Sequence, residues 1–144
     1  VCSIEGIEGV TLSGGEPFEQ SEAVAELLRS VKEIRPELSF FLFTGYEHTF
    51  LQQSTNNHVQ TVLEVADMLS SGPFVAELYE LNLLWRGSSN QQLVYLSDRY
   101  SVGNEPAWTS TSPVEEIYMH NQRLEYTGFK GKRGLIYKHL EKLN

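Results

Sequence analysis

The order of apolar and polar positions predicts strands that alternate with helices over most of the chain. Short apolar runs indicate strands, and apolar positions that recur every three or four residues indicate helices. The predicted elements are, in chain order, a strand over 9–12, a helix over about 20–34, a strand over 39–43, a helix over about 58–65 capped by Asn57, and strands over 66–69 and 93–96. This alternation is typical of an α/β fold with a parallel sheet, either open or closed into a barrel.

Small residues follow three of the predicted strands at the point where each strand ends. These turns are Ser13-Gly14-Gly15-Glu16-Pro17, Thr44-Gly45-Tyr46 and Ser70-Ser71-Gly72-Pro73. Because ligands of α/β proteins bind at the carboxyl ends of parallel strands, we expect the three turns to meet at one ligand-binding edge. Glycine permits the close approach of a ligand, but any tight turn after a strand also favours glycine, so both interpretations stay open.

The last part of the chain has a different pattern. Two runs, 116–120 and 123–129, predict a β-hairpin, and an apolar face over 134–143 predicts a short helix. We therefore expect an α/β core over residues 1–100 and a hairpin-and-helix extension over residues 101–144. A linker rich in Ser and Thr near residues 109–113 joins the two.

Composition and charge narrow the classes of function. The 144 residues are 40% hydrophobic and 21% charged, as in globular domains, and no apolar run approaches the ~18 residues of a membrane span. The net charge of −8 disfavours nucleic acid as a main partner. Residues 130–144 are basic, which suits either a solvated helix face or contact with an acidic partner. We expect a cytoplasmic protein without a membrane partner.

The chain has a single cysteine, Cys2, and four histidines. One cysteine excludes an internal disulfide and also a metal cluster held by several cysteines of this chain alone. The histidines lack the spacing of zinc ligands, so we predict no metal site within the chain. Cys2 is expected to be an ordinary buried thiol.

The turn Ser13–Pro17 combines permissive backbone with an acidic side chain. It contains no Lys, and no G-x-G-x-x-G or Walker pattern, and the carboxylate of Glu16 would repel a phosphate at the start of the next helix. A carboxylate beside backbone carbonyls suits a cation such as an ammonium group. The turn is therefore a candidate amine-binding site. The alternative is that Glu16 and Glu19 only complement the helix dipole.

Four segments resemble, in order, motifs of the radical S-adenosylmethionine (SAM) enzymes, and above all of the activating enzymes of glycyl radical proteins. They are the Gly-Gly-Glu-Pro segment within Gly9–Phe18, the strand end Leu42–Tyr46, the D-x-L-x-x-G-P-F segment Asp67–Phe74, and the R-G-S-x-N-Q loop Arg86–Gln91. Each segment alone is common, but four in the same order make the resemblance specific.

This resemblance implies an α/β chain that is part of a radical SAM-type partial (β/α) barrel. In the family, three cysteines of a C-x-x-x-C-x-x-C loop hold a 4Fe-4S cluster. The cluster binds the amino and carboxylate groups of SAM. Reduction of the cluster cleaves SAM to a 5′-deoxyadenosyl radical. The activating enzymes use this radical to install a glycyl radical on a partner enzyme, such as anaerobic ribonucleotide reductase. SAM and the cluster are thus the implied cofactors.

The resemblance also implies which residues contact SAM. Gly14, Gly15 and Glu16 are expected to do so, with Pro17 shaping the turn. Further candidates are expected only from their position at the same edge, namely Ser13, Thr44–Tyr46, Ser71, Ser89 and Asn90. No catalytic residue is predicted. Three aromatic residues either line a groove for the partner or belong to the core, namely Tyr46, Trp85 and Trp108.

The sequence departs from the family in the absence of the C-x-x-x-C-x-x-C motif, since thiolates hold such clusters. A full barrel of this kind also has roughly 200 residues or more. We therefore expect the C-terminal part of a radical SAM activating enzyme, inactive alone, with the cluster ligands in a missing N-terminal segment. The alternatives are a cluster-less relative that binds a partner or a small amine, and an unrelated α/β domain with similar turns.

Overall fold

The computed structural model describes residues 3–80, 83–104, 115–120 and 123–128. The chain divides into two compact units, Val1–Asn104 and Glu105–Asn144. The elements of the first unit are β1 (Gly9–Leu12), a 3₁₀ turn (Pro17–Gln20), α1 (Ser21–Ile34), β2 (Ser39–Thr44), α2 (His48–Gln52), α3 (Asn57–Val65), β3 (Met68–Ser71), a 3₁₀ turn (Ala76–Leu78), β4 (Gln92–Tyr95) and a 3₁₀ turn (Val102–Asn104).

The four strands of the first unit form one sheet in the order β1-β2-β3-β4. β1, β2 and β3 are parallel, with Leu42 opposite both Leu12 and Leu69. β4 runs antiparallel to β3. In the described part of the connection between them there is only a short 3₁₀ turn, whereas parallel strands need a longer crossover, usually a helix. The α/β prediction is confirmed, and the antiparallel β4 corrects the expectation of a parallel sheet.

A hydrophobic core lies between the helices and one face of this sheet. Phe40 and Leu42 of β2 alternate toward that face and are almost completely buried. Leu28 of α1 and Val62 of α3 are fully buried in the same cluster. Burial of each such side chain contributes about 1.5–3 kcal/mol to folding. The core therefore fixes the strands, and with them the turns at the strand ends.

The carboxylate of Asp67, the residue just before β3, binds both β2 and the segment that follows β4. Its Oδ2 accepts a hydrogen bond from the Phe40 backbone N–H at 2.9 Å, and its Oδ1 accepts one from the Ser97 hydroxyl at 2.6 Å. Arg99 Nε lies 3.7 Å from the same Oδ1. Asp67 is 5% exposed, so the first residue of the D-x-L-x-x-G-P-F segment has a structural role.

Most of the predicted elements are confirmed to within one or two residues. The cap of α3 is a correction: Asn56, not Asn57, accepts the hydrogen bond from the His58 backbone N–H, at 2.9 Å. β3 starts two residues later than predicted, because the Ala66 N–H still completes the last turn of α3 by donating to Val62 O. β4 starts one residue earlier than predicted, and α2 was not predicted at all.

In the second unit the structure describes β5 (Glu115–His120) and β6 (Arg123–Gly128), which pair antiparallel. This confirms the predicted strands of the hairpin. The predicted linker and C-terminal helix lie outside the described residues, as do Cys2 and Trp108. Within the described ranges, no helix has both the length and the apolar character that crossing a membrane requires.

Candidate functional site

The turns that follow β1, β2 and β3 line one cleft of about 260 Å³ at the carboxyl edge of the sheet. Its lining residues are Ser13, Gly14, Gly15, Glu16, Phe43, Thr44, Gly45, Ser70, Gly72, Phe74 and Gln91. The turns meet because three parallel strands lie side by side and end at the same edge. The structure thus brings together the three segments that the sequence pattern places at one edge.

The first turn needs glycine for its backbone conformation. Gly14 and Gly15 have φ angles of +84° and +58°, a region that L side chains rarely adopt. A Cβ atom added to Gly14 would meet no heavy atom within 4 Å, so the requirement there is conformational. The ladder between β1 and β2 ends at Leu12. The peptide groups of the turn therefore lie beyond the sheet, where a ligand can reach them.

The carboxylate of Glu16 joins the first turn to the second. Its Oε1 accepts hydrogen bonds from Thr44 Oγ1 at 2.8 Å and from the Phe18 backbone N–H at 3.1 Å, and its Oε2 accepts one from the Gly45 N–H at 2.8 Å. A carboxylate has about four acceptor positions. Three of these are occupied within the protein, which leaves Oε2 with one position for a ligand cation.

The bond from Phe18 also makes Glu16 the N-cap of the 3₁₀ turn that precedes α1. The sequence raised complementation of the helix dipole as the alternative to amine binding, and the structure shows a hydrogen-bonded cap of the 3₁₀ turn. Because the carboxylate has two oxygens, capping through Oε1 and ligand binding through Oε2 do not exclude each other.

Tyr46 extends the second turn toward the start of α1. Its hydroxyl donates a hydrogen bond to Glu19, and its ring stacks on Phe50 with centroids 5.4 Å apart. The hydrogen bond to Glu19 raises the pKa of Tyr46, and burial and the negative charges of Glu19 and Glu16 add to this effect. The phenol therefore stays protonated at neutral pH and serves as a donor.

Gly72 and Ser71 connect the third turn to the second. The Gly72 N–H donates to Tyr46 O at 2.9 Å and to Thr44 O at 3.2 Å. Ser71 is buried, and its hydroxyl donates to Tyr46 O at 2.9 Å. The Ser71 hydroxyl therefore fastens one turn to the other.

The loop Arg86–Gln91 is held against the third turn by side-chain amides. Gln91 Nε2 donates to Gly72 O at 2.8 Å, and Asn90 Nδ2 donates to Pro73 O at 2.8 Å. A Cβ atom added to Gly87 would lie 2.9 Å from the Phe74 ring. Two of the segments that carry the family resemblance are therefore packed directly against each other.

The predicted site residues fall into separate environments. Six of them line the cleft, namely Ser13, Gly14, Gly15, Glu16, Thr44 and Gly45. Ser71 and Asn90 line a neighbouring cavity of about 190 Å³ together with His48, whose pKa is lowered by burial. Pro17 is buried at the start of the 3₁₀ turn. The Ser89 backbone N–H donates to Leu78 O, away from both cavities.

Five cleft residues were not predicted from the sequence as site residues, namely Phe43, Ser70, Gly72, Phe74 and Gln91. Phe43 points away from the core face of β2 because strand residues alternate, which was a usable signal. Gln91 is the last residue of the R-G-S-x-N-Q loop and could have been found through that segment. Trp85, one of the three aromatic residues that the sequence assigned to a groove or to the core, packs on Phe41 with ring centroids 5.2 Å apart.

The residues of this chain do not fit a 4Fe-4S cluster. Such clusters are held by cysteine thiolates, and the whole chain contains one cysteine. In the part of the chain that the structure describes, no group of three Cys, His, Asp or Glu residues is placed to hold a metal ion. The ligands of a cluster therefore cannot all come from this chain.

Comparison with known proteins defines the class to which the chain belongs. The model of the 4Fe-4S single cluster domain family matches residues 2–94, so the chain is a member of this family. The matched region includes the three turns of the cleft and the loop Arg86–Gln91. No solved structure matches the chain.

Several curated relatives share one name, anaerobic ribonucleoside-triphosphate reductase-activating protein. The Escherichia coli protein is 35% identical over 92 residues, which are 62% of this chain and 56% of the relative. The Vibrio cholerae protein is 38% identical over 85 residues, 58% of this chain and 52% of the relative. The Haemophilus influenzae protein is 33% identical over 86 residues, which are 58% of this chain and 53% of the relative. The resemblance to glycyl radical activating proteins is thus confirmed, and the chain spans about half the length of these relatives.

Proposed function

We propose that this chain is the SAM-binding part of a radical SAM activating enzyme that acts on a glycyl radical enzyme. The observation that carries the proposal is the cleft in which Gly14, Gly15 and Glu16 meet Thr44 and Gly45. Membership in a 4Fe-4S family and similarity to reductase-activating proteins support the same role.

The fold proposed for this role is a partial (β/α) barrel over residues 1–100, followed by an extension over residues 101–144. The order of β1, β2 and β3, which are parallel and adjacent in chain order, supports a barrel-type arrangement. The division of the chain into the units Val1–Asn104 and Glu105–Asn144 supports the boundary.

In the proposed complex, the ammonium group of the SAM methionine moiety binds beside Glu16. The free acceptor position on Glu16 Oε2 and the peptide carbonyls of the first turn provide negative charge and hydrogen-bond acceptors. Thr44 and Gly45 already hold the carboxylate in one orientation. Little side-chain entropy is therefore lost when the amine binds.

Ser71 and Asn90 are proposed to bind the ligand at a distance from the ammonium group. They line the cavity beside the cleft, and Gly72 borders both spaces. A ligand larger than the cleft would extend in that direction. Pro17 contributes by fixing the end of the first turn.

The chain alone is proposed to be inactive. Its residues do not fit a 4Fe-4S cluster, so its proposed contribution is to bind and orient SAM. The proposed activity is installation of a glycyl radical on a partner such as an anaerobic ribonucleotide reductase, and its proposed location is the cytoplasm. This activity would require a cluster held by thiolates of cysteines that this chain lacks.

A second candidate is a cluster-less binding module for a partner protein or a small amine. The single cysteine favours it. The two candidates differ in the ligand that they predict. A SAM-binding site selects SAM over methionine, whereas a general amine site binds the two with similar affinity.

The test is calorimetric titration of the 144-residue chain with SAM and, separately, with methionine. We expect SAM to bind more tightly than methionine and Glu16→Gln to weaken SAM binding about tenfold, because a hydrogen bond to a charged group contributes about 1.5–3 kcal/mol. Glu33→Gln, an exposed change of the same kind on α1, is the matched control. Absence of SAM binding by the wild-type chain would refute the proposal, and equal affinity for methionine would favour the second candidate.

A further inference from the structure

Gln91 lies in the wall of the cleft and joins the third turn to the loop that precedes β4. Its Nε2 donates to Gly72 O at 2.8 Å, and its Oε1 accepts from the Gly87 N–H at 2.8 Å and the Ser88 N–H at 3.2 Å. A side-chain amide has four hydrogen-bonding positions. Three of them are thus used to hold backbone groups of two separate segments.

Gly72 is the residue through which this contact reaches the second turn. Its φ of +112° favours glycine, and a Cβ atom added there would lie 3.6 Å from Gln91 Cα. Its N–H donates to the carbonyls of Thr44 and Tyr46. Gln91 therefore binds the carbonyl of Gly72, and the amide of Gly72 binds the second turn.

Residues of the second turn also bind the Glu16 carboxylate. Thr44 Oγ1 and the Gly45 N–H donate to the two oxygens of the Glu16 carboxylate. A continuous series of hydrogen bonds and covalent bonds thus connects Gln91, through Gly72 and Thr44, to the first turn of the cleft.

We infer that Gln91 is a positioning residue of the cleft, which fixes Gly72 and through it the orientation of the second turn toward Glu16. The inference rests on the proposed function only for the identity of the ligand. The positioning of Gly72 itself is a property of the free chain and is measurable without ligand.

The most specific variant is Gln91→Glu. A glutamate keeps the shape of the side chain and an oxygen toward Gly87 and Ser88, but it places a second oxygen opposite the Gly72 carbonyl. The two oxygens repel each other when the carboxyl is ionised, and protonation restores a donor. The effect of the variant therefore depends on pH in a way that a loss of packing does not.

The ligand-free test is amide hydrogen exchange of Gly72, followed by NMR. We expect exchange about five- to tenfold faster in Gln91→Glu than in the wild type at pH 7, with a smaller ratio at pH 5, because one hydrogen bond to the turn is lost. If Gly72 exchanges at the same rate in Gln91→Glu and in the wild type at both pH values, the inference is overturned. If Gln91→Glu does not fold, Gln91→Met provides the comparison at pH 7 without a charge, and equal exchange in Gln91→Met overturns it as well.

The second readout is SAM affinity of the same chain by calorimetry. We expect Gln91→Glu to bind SAM about five- to tenfold more weakly at pH 7 and with a smaller deficit at pH 5. Equal affinity of variant and wild type would overturn the inference while leaving the proposed function intact. If the wild type does not bind SAM, the proposed function fails, and hydrogen exchange alone decides the inference.

Gln60→Glu is the matched control. Gln60 Nε2 also donates to backbone carbonyls, those of Ser54 at 2.8 Å and Leu51 at 3.2 Å, but it lines neither the cleft nor the neighbouring cavity. We expect this control to change neither Gly72 exchange nor SAM affinity. A control effect as large as that of Gln91→Glu would mean that both act through global stability, and would overturn the positioning role.

Discussion

Thr44 Oγ1 donates a hydrogen bond to Glu16 Oε1 at 2.8 Å, and the two residues are 28 positions apart in the chain. The same hydroxyl oxygen accepts a hydrogen bond from the Tyr46 N–H at 3.1 Å. Thr44 is 5% exposed, whereas Glu16 is partly exposed at the cleft. A buried side chain of β2 therefore fixes the orientation of the acidic group that the first turn presents.

Replacement of Thr44 by valine tests this contact. Thr44→Val keeps the volume but removes a donor to Glu16 and an acceptor for Tyr46, so we expect the free energy of unfolding to fall by about 1–3 kcal/mol. Urea denaturation measures the change. Thr44→Ser, which keeps the hydroxyl, is the control. If valine and serine cost the same, the hydroxyl contributes nothing and the loss comes from packing.

Substitution of Gly14 tests the backbone conformation of the first turn. Because its φ is +84°, we expect Gly14→Ala to destabilise the chain by about 1–2 kcal/mol, as an L residue in the left-handed region does. Gly103→Ala is the matched control, since Gly103 lies in a 3₁₀ turn and has no positive φ. Thermal unfolding of both variants measures the difference. Equal losses in the two variants would contradict the conformational explanation.

The Tyr46 hydroxyl provides a prediction about pH. Its hydrogen bond to Glu19 raises its pKa above the usual value of 10.0. A raised pKa means that the folded state keeps the proton where the unfolded state loses it. The contribution to stability is therefore complete below about pH 10 and disappears as the pH rises through the folded-state pKa.

Titration of the Tyr46 ring by ¹³C NMR measures this shift, and Tyr46→Phe assigns the signal. We expect Glu19→Gln to return the Tyr46 pKa toward its usual value, because the variant removes the charged acceptor. Glu26→Gln on α1 leaves that hydrogen bond in place and is the control. A Tyr46 pKa that is the same in Glu19→Gln and in the wild type would contradict the assignment of Glu19 as the main cause.

The local elements could be predicted because their signals are local. The helical stripe of α1 and the apolar run of β2 depend only on residues within each element. The cap of α3 was wrong by one position because Asn56 and Asn57 are both suitable capping residues, and only the extended backbone at Asn56, with φ −76° and ψ 115°, distinguishes them. α2 has five residues, which is too short for a periodic pattern.

The direction of β4 could not be predicted from its own residues. A run such as Gln92–Tyr95 has the same pattern in a parallel and in an antiparallel pair. Likewise, the sequence predicted that Glu16 and Glu19 could both act at the start of a helix. It did not predict that Glu16 binds Thr44 and Gly45 while Glu19 binds Tyr46.

The sequence by itself determined the α/β alternation, the three turns of small residues, the similarity to glycyl radical activating proteins and the lack of enough cysteines for a cluster. These properties depend on residue types and on short-range spacing. Only the tertiary structure decided that Gln91 holds Gly72, 19 positions away, and that Thr44 holds Glu16. Such contacts depend on strand register and on the three-dimensional approach of turns, because periodicity tells which face of an element is buried but not which side chains meet at its end.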